Sequence, residues 1–435
     1  MSDGTAETPR RAGRATAVPH GAAGASREAA AVPRGAAAGP AGAAAGTDGA
    51  ALLAPGPGDL LELVRREGAR TRAEIQALTG LSRVTVAQRL TPLLQEGLLR
   101  ETGPHESTGG RRPRGLEFNS DHGVVVVAAL ETTRTRAAVT DLAGTVLTHA
   151  DLPVSVQAGP QATLDAIVGA SRELLESDAV GGRAVRGVGV ALPGPVDPAT
   201  WRPSEPPIMP GWDAYPVGDH LSEALGVPAA VENDANAMAV GEQAVRHPRS
   251  PALVLVKVST GIGAGIVVDG RLFRGIDGGA GDIGHVRLVD QPDALCRCGS
   301  HGCLAASASG WAVAKDLTAL GVPAVSGRDV RALLAEGNPA AARLTREAGR
   351  LIGQVVAAVV SLVNPGVLVL GGDLASTPLL SGVRETLYRR TLPRATRHLE
   401  VTLGALGQDA AVIGMTRTVV DLVFGATAVN ERIGR

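Results

Sequence analysis

From Gly123 onward, short apolar runs alternate with helix-length stretches for roughly 310 residues, and this alternation most limits the folds open to the chain. Residues 124–130 form one continuous apolar run and 136–140 another short strand, after which Leu142-Ala143-Gly144 reads as a hairpin turn into Val146-Leu147. Further strand-like runs follow at 188–192, 229–231, 252–258, 262–268 and 367–370, with helical stretches between them. Strands joined by helices build a sheet with helices on its faces, so the expectation is an α/β body in two lobes around a cleft, spanning 120–435. The uncharged stretch 351–372 is long enough to raise a membrane span, but Asn364-Pro365-Gly366 divides it into a buried helix, a turn and a core strand. No membrane partner is expected.

The first fifty-odd residues read differently. Ala, Gly and Pro recur there without period and with scarcely a large apolar side chain, so residues 1–57 are expected to form a disordered tail. Arg10-Arg11 raises an export signal, but no continuous apolar stretch follows it, and a cytoplasmic chain is expected.

Between tail and body, residues 58–118 carry the grammar of a winged helix-turn-helix. Asp59 can cap a helix with Leu60, Leu61, Leu63 and Val64 on its apolar side, and Gly68 stops it. Thr71 and Glu74 form a capping box for a second helix with Ile75, Leu78 and Leu81 at three-residue spacing. Thr79-Gly80-Leu81-Ser82 then supplies a tight turn and a new cap, and a third helix runs over about 83–95, with Pro92 expected to kink it near its end. Val86, Leu90, Leu93 and Leu94 can pack inward, leaving Ser82, Arg83, Thr85, Gln88 and Arg89 for base edges and phosphates of double-stranded DNA. A glycine-rich loop with Arg111, Arg112 and Arg114 follows as the wing. The rival reading is a docking domain whose arginines are merely solvated.

Net charge excludes binding to nucleic acid by bulk attraction, since 42 Lys+Arg face 43 Asp+Glu, a net of -1. The distribution is uneven: residues 1–118 hold 15 Arg and 12 Asp+Glu, +3, leaving 27 basic and 31 acidic residues, -4, for the rest. The 3 cysteines are too few for a disulfide framework and all fall at Cys296, Cys298 and Cys303, a C-x-C-x4-C spacing that reads as a metal site.

Six motifs then occur in one order: Ala191-Leu-Pro-Gly-Pro-Val-Asp197, Val231-Glu-Asn-Asp-Ala-Asn236, Ser259-Thr-Gly-Ile-Gly-Ala-Gly265, Gly281-Asp-Ile-Gly-His285, Cys296-Arg-Cys-Gly-Ser-His-Gly-Cys-Leu304 and Asn364-Pro-Gly-Val-Leu-Val-Leu-Gly-Gly-Asp373. With the upstream module, the chain resembles the ROK family of repressors, open reading frames and sugar kinases over about 58–435. The resemblance implies an actin-like, two-lobed ATPase-type fold, and one structural Zn2+ on His285, Cys296, Cys298 and Cys303. One nitrogen and three thiolates would complete a closed tetrahedral site, with His301 as the rival fourth ligand.

The resemblance also assigns Asp234 as the base of a sugar kinase and Asn233 as a sugar ligand, with Asp282 and His285 beside them in an effector pocket. Thr260-Gly261-Ile262-Gly263 retains the second phosphate loop. The first departs from it: where kinases of the family read Asp-x-Gly-Gly-Thr, this chain reads Ala129-Leu130-Glu131-Thr132-Thr133. A carboxylate and two glycines are lost, and Glu131 brings negative charge toward a polyanion, so no ATP chemistry is expected. Ala305 replaces a sugar-binding Glu, which puts an ordinary hexose in question. The expected protein is a DNA-binding transcriptional regulator of the repressing kind, acting as a homodimer or homotetramer on an operator and open to a sugar-type effector. The alternatives are an ATP-dependent hexose kinase with an accessory DNA-binding head, and an architectural binder that senses nothing.

Overall fold

The computed structural model describes residues 55–104 and 114–433. Nearly all of the expected tail, and the loop that carries Arg111 and Arg112, lie outside the described residues.

The chain opens with α1 (Pro57–Glu62), which continues through one wider turn over Leu63–Glu67 until Gly68, at φ 72°, ends it. Asp59 is not the cap. Pro57 has no amide to leave unpaired and takes the first helical position, and Asp59 reaches back to accept from the Gly56 amide at 2.6 Å. Next, α2 (Arg72–Thr79) starts at the Thr71/Glu74 capping box and stops at left-handed Gly80. Ser82 accepts from the Thr85 amide to start α3 (Arg83–Gln95), which holds Pro92 in its final turn. Ile75, Val86, Leu90 and Leu93 are buried together, but Leu78 is 57% exposed, because α2 is short and turns only one side inward. Strands β1 (Leu99–Pro104) and β2 (Arg114–Phe118) close this head as an antiparallel hairpin.

The body repeats one topology twice. Strands β3 (Val124–Leu130), β4 (Thr135–Asp141) and β5 (Val146–Leu152) form an antiparallel meander; then come α4 (Pro160–Leu175), β6 (Val185–Leu192), α5 (Val217–Leu225), β7 (Ala229–Asn233) and α6 (Asp234–Arg246). The first sheet has the order β5-β4-β3-β6-β7, with β6 and β7 parallel to β3. A second meander is made by β8 (Ala252–Val258), β9 (Ile262–Val268) and β10 (Arg271–Leu272). It is followed by α7 (Leu304–Ala308), α8 (Gly310–Ala319), α9 (Gly327–Ala335), α10 (Pro339–Val363), β11 (Val367–Gly371), α11 (Thr377–Arg390), α12 (Pro393–Thr396), β12 (Glu400–Leu403), α13 (Ala410–Phe424) and α14 (Ala426–Ile433). The second sheet, β10-β9-β8-β11-β12, repeats the first in order and in strand direction.

Three apolar clusters follow from this layering. The outer face of the first sheet packs under α4 and α5, and that of the second under α10 and its neighbours. Between the sheets lie α6 and α13, in a cluster that continues into the head. The stretch Gly407–Ile433 is apolar and long enough, by composition, to cross a membrane. Here α13 fills the space between the two sheets, which accounts for its hydropathy. Residues 351–372 form the end of α10, a turn at left-handed Asn364, and β11, as their punctuation suggests.

Candidate functional site

Parallel strands end together at the mouth of a cleft, and loops from both sheets line a cavity of about 420 Å³ there. Asn233, Asp234, Asp282 and His285 all border it, and so does the Ala305 position. Asn233 closes β7 and caps α6: its side-chain oxygen accepts from the amides of Ala235 (2.9 Å) and Asn236 (3.2 Å), and its Nδ2 donates to the Gly194 carbonyl at 3.0 Å. The preceding Glu232 is 2% exposed and orients that cap. It accepts from the Asn233 amide (2.9 Å), from Asn236 Nδ2 (3.0 Å) and from Arg274 (2.8 Å). The motif Val231-Glu-Asn-Asp was visible in the sequence, but nothing local revealed Arg274, 42 residues on, as the partner of Glu232.

Asp234 is buried and paired with Lys257, a residue that sequence reasoning passed over. Burial pushes the Asp234 carboxyl upward, and the Lys257 ammonium opposes that shift. Burial works the other way on Lys257, but the charge of Asp234 and the hydrogen bond to it prevail and hold the ammonium above its usual range. A carboxylate so engaged is not a free base. Alternating placement on β8 points Lys257 into the cleft, and the following Ser259 and Thr260 begin the second phosphate loop.

Residues 131–133 and 259–261 line the cavity from the two sheets and touch each other. Thr132 and Thr260 share a hydroxyl hydrogen bond of 2.7 Å across the cleft. Glu131 accepts from Arg134 at 3.0 Å and pairs with Arg328 on α9 at 3.4 Å. These contacts join the first-sheet lobe to the second-sheet lobe across the cleft.

Beside the cavity, the side chains of His285, Cys296, Cys298 and Cys303 each offer one ligand atom, all within 4.8 Å of one another. His285 Nδ1 lies 3.9 Å from Cys296 Sγ, and Cys298 Sγ lies 3.9 Å from Cys303 Sγ. A tetrahedral ion with sulfur at about 2.3 Å needs ligand separations of about 3.8 Å, so the donor set fits such an ion. His301 is not among the four. Electrostatics point the same way: burial opposes ionisation of Cys298, but the Ser300 amide and neighbouring thiols bring it to about 6, while burial and the adjacent cysteines push Cys303 up to about 12. Without a cation the cluster holds its thiolates unequally, and a divalent ion is what allows three to ionise side by side.

In the head, Ser82, Arg83 and Gln88 are exposed on one side of α3 and Thr85 is half-buried. Arg89 departs from its expected outward place: it is half-buried, and its Nη1 is enclosed without a hydrogen-bond partner. Val84 stands 66% exposed among the polar residues, an apolar contact suited to a thymine methyl. Sequence reasoning missed it because a valine in this run reads as core. Arg114 at the base of β2 donates to Glu101 at 2.7 Å, and Arg72 at the start of α2 donates to the same carboxylate at 2.7 Å.

Two repeated sheets, a cleft between their loops and a Cys/His cluster beside it define the class: an actin-like body of the sugar kinase type with a small helical head. Residues 129–421 match the ROK family, and the chain belongs to it. It is similar to the xylose repressor of Bacillus spizizenii, at 26% identity over 370 residues, covering 83% of this chain and 94% of that protein. A crystal structure of a ROK family transcriptional regulator, a homologue of the E. coli MLC protein, aligns with a TM-score of 0.72 at 24% identity over 87% of this chain and 98% of that one, a likeness of fold. A ROK family glucokinase from Streptomyces griseus, in complex with glucose and AMPPNP, aligns with a TM-score of 0.60 at 28% identity, over 68% of this chain and 99% of its own. The structural likeness to the regulator takes in the head; that to the kinase stops at a body's length.

Proposed function

We propose that this chain is a sugar-sensing transcriptional repressor in which residues 58–118 form a winged helix-turn-helix on an operator and 120–435 form the sensing and dimerising body. The single observation that carries the reading is the pairing of a polar, exposed side of α3 with a cleft bridged by the Thr132–Thr260 and Glu131–Arg328 contacts. Ser82, Arg83, Thr85, Gln88 and Val84 face the major groove, and the wing arginines Arg111, Arg112 and Arg114 supply phosphate contacts. Arg89, half-buried like Thr85, belongs to the same set. Asn233, Asp234, Asp282 and His285 form the effector wall. Zn2+ is the ion we assign to His285, Cys296, Cys298 and Cys303, where it would pin the loop that carries one wall of the cavity and leave no position open for catalysis.

Glu131, Thr132 and the Asp234–Lys257 pair all weigh against phosphoryl transfer, so the body acts as a cytoplasmic sensor rather than an enzyme. Acting as a homodimer or homotetramer, the protein would present pairs of heads that need half-sites about 10 base pairs, or a multiple of that, apart. The xylose repressors among its relatives make D-xylose the first effector to test, and the glucose-bound kinase makes D-glucose the second. Footprinting of the DNA upstream of its own and neighbouring genes, with and without each sugar, tests the proposal. A protected site that one sugar shifts supports it; no protection at moderate salt, or ADP release with a hexose panel, overturns it.

A further inference from the structure

The cavity and the head are joined by two helices in backbone contact. The cavity end begins at Asn233, which caps α6 and grips the Gly194 carbonyl just past the neighbouring strand β6. Along its length α6 lies against α13 so closely that side chains have been removed from the crossing. A Cβ on Gly414 would fall 1.8 Å from the Ala237 carbonyl oxygen, and one on Gly241 would fall 2.2 Å from that of Ala410. The other side of α13 is locked to the first sheet by a buried hydrogen bond between Thr416 and Thr140, 2.8 Å, and by Met415 and Val419 packed over Gly189 and Gly187.

At its far end α13 holds the head. Asp421 accepts from Arg65 at 2.8 Å and from Arg66 at 2.5 Å, and the Phe424 carbonyl accepts from Arg65 at 2.9 Å. Arg65 is 3% exposed in its side chain and stacks over Phe118 of the hairpin at 5.3 Å. Arg417, one turn back on α13, adds its charge to the same group. Two guanidiniums thus bond one carboxylate, so the joint depends on Asp421.

We propose that α13 is a rod that carries the state of the ligand cleft to the head, and that Asp421 is the positioning residue fixing the head to it. A shift at the start of α6 cannot be absorbed at the glycine crossing, because backbone meets backbone there with no side chain free to change rotamer. It moves α13 and, through Asp421, the angle of α1 and α3. Calling the two ends a sensor and a reader rests on the regulatory reading. The coupling itself is tested in the free protein, with neither DNA nor sugar, so the two can fail separately.

Hydrogen exchange on the full-length protein, read by mass spectrometry, is the experiment. Asn233→Ala removes the cap of α6 at the cleft. Asn338→Ala removes a matched cap, that of α10, whose side chain accepts from Ala340 and Ala341 on a helix packed against α11, off the proposed route. Asn233→Ala should raise exchange over residues 57–67 by about threefold or more, within the range carried by packed elements, and Asn338→Ala should not. Asp421→Asn should raise head exchange, spare α6, and abolish the head's response to Asn233→Ala, while Asp421→Glu restores it. If Asp421→Asn does not fold, Arg66→Gln, on the outer side of the same clamp, takes its place. A head indifferent to Asn233→Ala, a head equally loosened by Asn338→Ala, or a response that persists without the clamp each overturns the proposal.

Discussion

Replacing Lys257 by Met tests whether the cleft is built around an ion pair. The side chain of Lys257 is 15% exposed and that of Asp234 10%, so removing the ammonium strands a carboxylate in surroundings that water reaches poorly. Breaking a buried pair from one side costs on the order of 3 to 5 kcal/mol, more than the pair itself contributes, because the remaining charge is left unpaired. Burial is already the largest influence on Asp234 and holds its carboxyl above the ordinary carboxylate range; with Lys257 gone its main opposition is removed and the folded-state pKa climbs further above the unfolded value near 3.9. A carboxyl whose folded pKa is raised is penalised where it must ionise. The loss in Lys257→Met should therefore be small below about pH 4, grow as pH climbs from the unfolded towards the folded pKa, and stay full at pH 7.5. Urea denaturation of parent and variant at pH 4.5 and 7.5 measures both the size and the slope, and adding Asp234→Asn should recover a large part of the loss by removing the charge. A deficit below about 1 kcal/mol that does not change with pH would mean that Asp234 is hydrated, and the case for a disabled base would fall with it.

Cys298→Ser should lower zinc from about one ion per chain to well below that after gel filtration and should destabilise the body, since a closed site loses one of four ligands; plasma emission analysis of the unmutated protein finding no zinc refutes the assignment. Arg111→Ala, Arg112→Ala and Arg114→Ala together should weaken operator binding and flatten its dependence on log salt by up to about three phosphate contacts, and an unchanged slope excludes the wing from the backbone. Glu131→Gln should cost less than about 1 kcal/mol, because its partners are half-exposed, and should make the interlobe loops more sensitive to trypsin. It should release no ADP with ATP and a hexose, and turnover above background in either protein refutes the sensor reading.

What the sequence made legible is what short-range physics dictates. The Thr71/Glu74 box, left-handed Gly80 and the Ser82 cap all act within four residues, and each is found where the spacing places it. Strands β8 and β9 match the apolar runs to the residue because both are bounded by turn residues. The cysteine spacing and His285 converge because a family resemblance had already tied them together. What stayed hidden are pairs made by the tertiary fold. Lys257 meets Asp234 from 23 residues away, Arg328 meets Glu131 from 197, and Arg65 meets Asp421 from 356. Leu78 and Arg89 failed for a related reason: helical periodicity assigns a face, but only the neighbouring elements decide which face is covered.

The departures at the first phosphate loop read in sequence as losses, and in the fold they are exchanges. Ala129 ends a carboxylate, but Thr132 gains Thr260 and Glu131 gains Arg328, each across the cleft. Protein contacts thus cross the cleft and tie one lobe to the other. A ligand shifts a two-state equilibrium only by its differential affinity for the states, and moving a population from 1:99 to 99:1 takes about 5.5 kcal/mol. A clasp worth about 1 kcal/mol or less at half-exposed positions lies well inside that range. It can bias the lobes without locking them, which is what a single small effector would need in order to turn α13 and move the head.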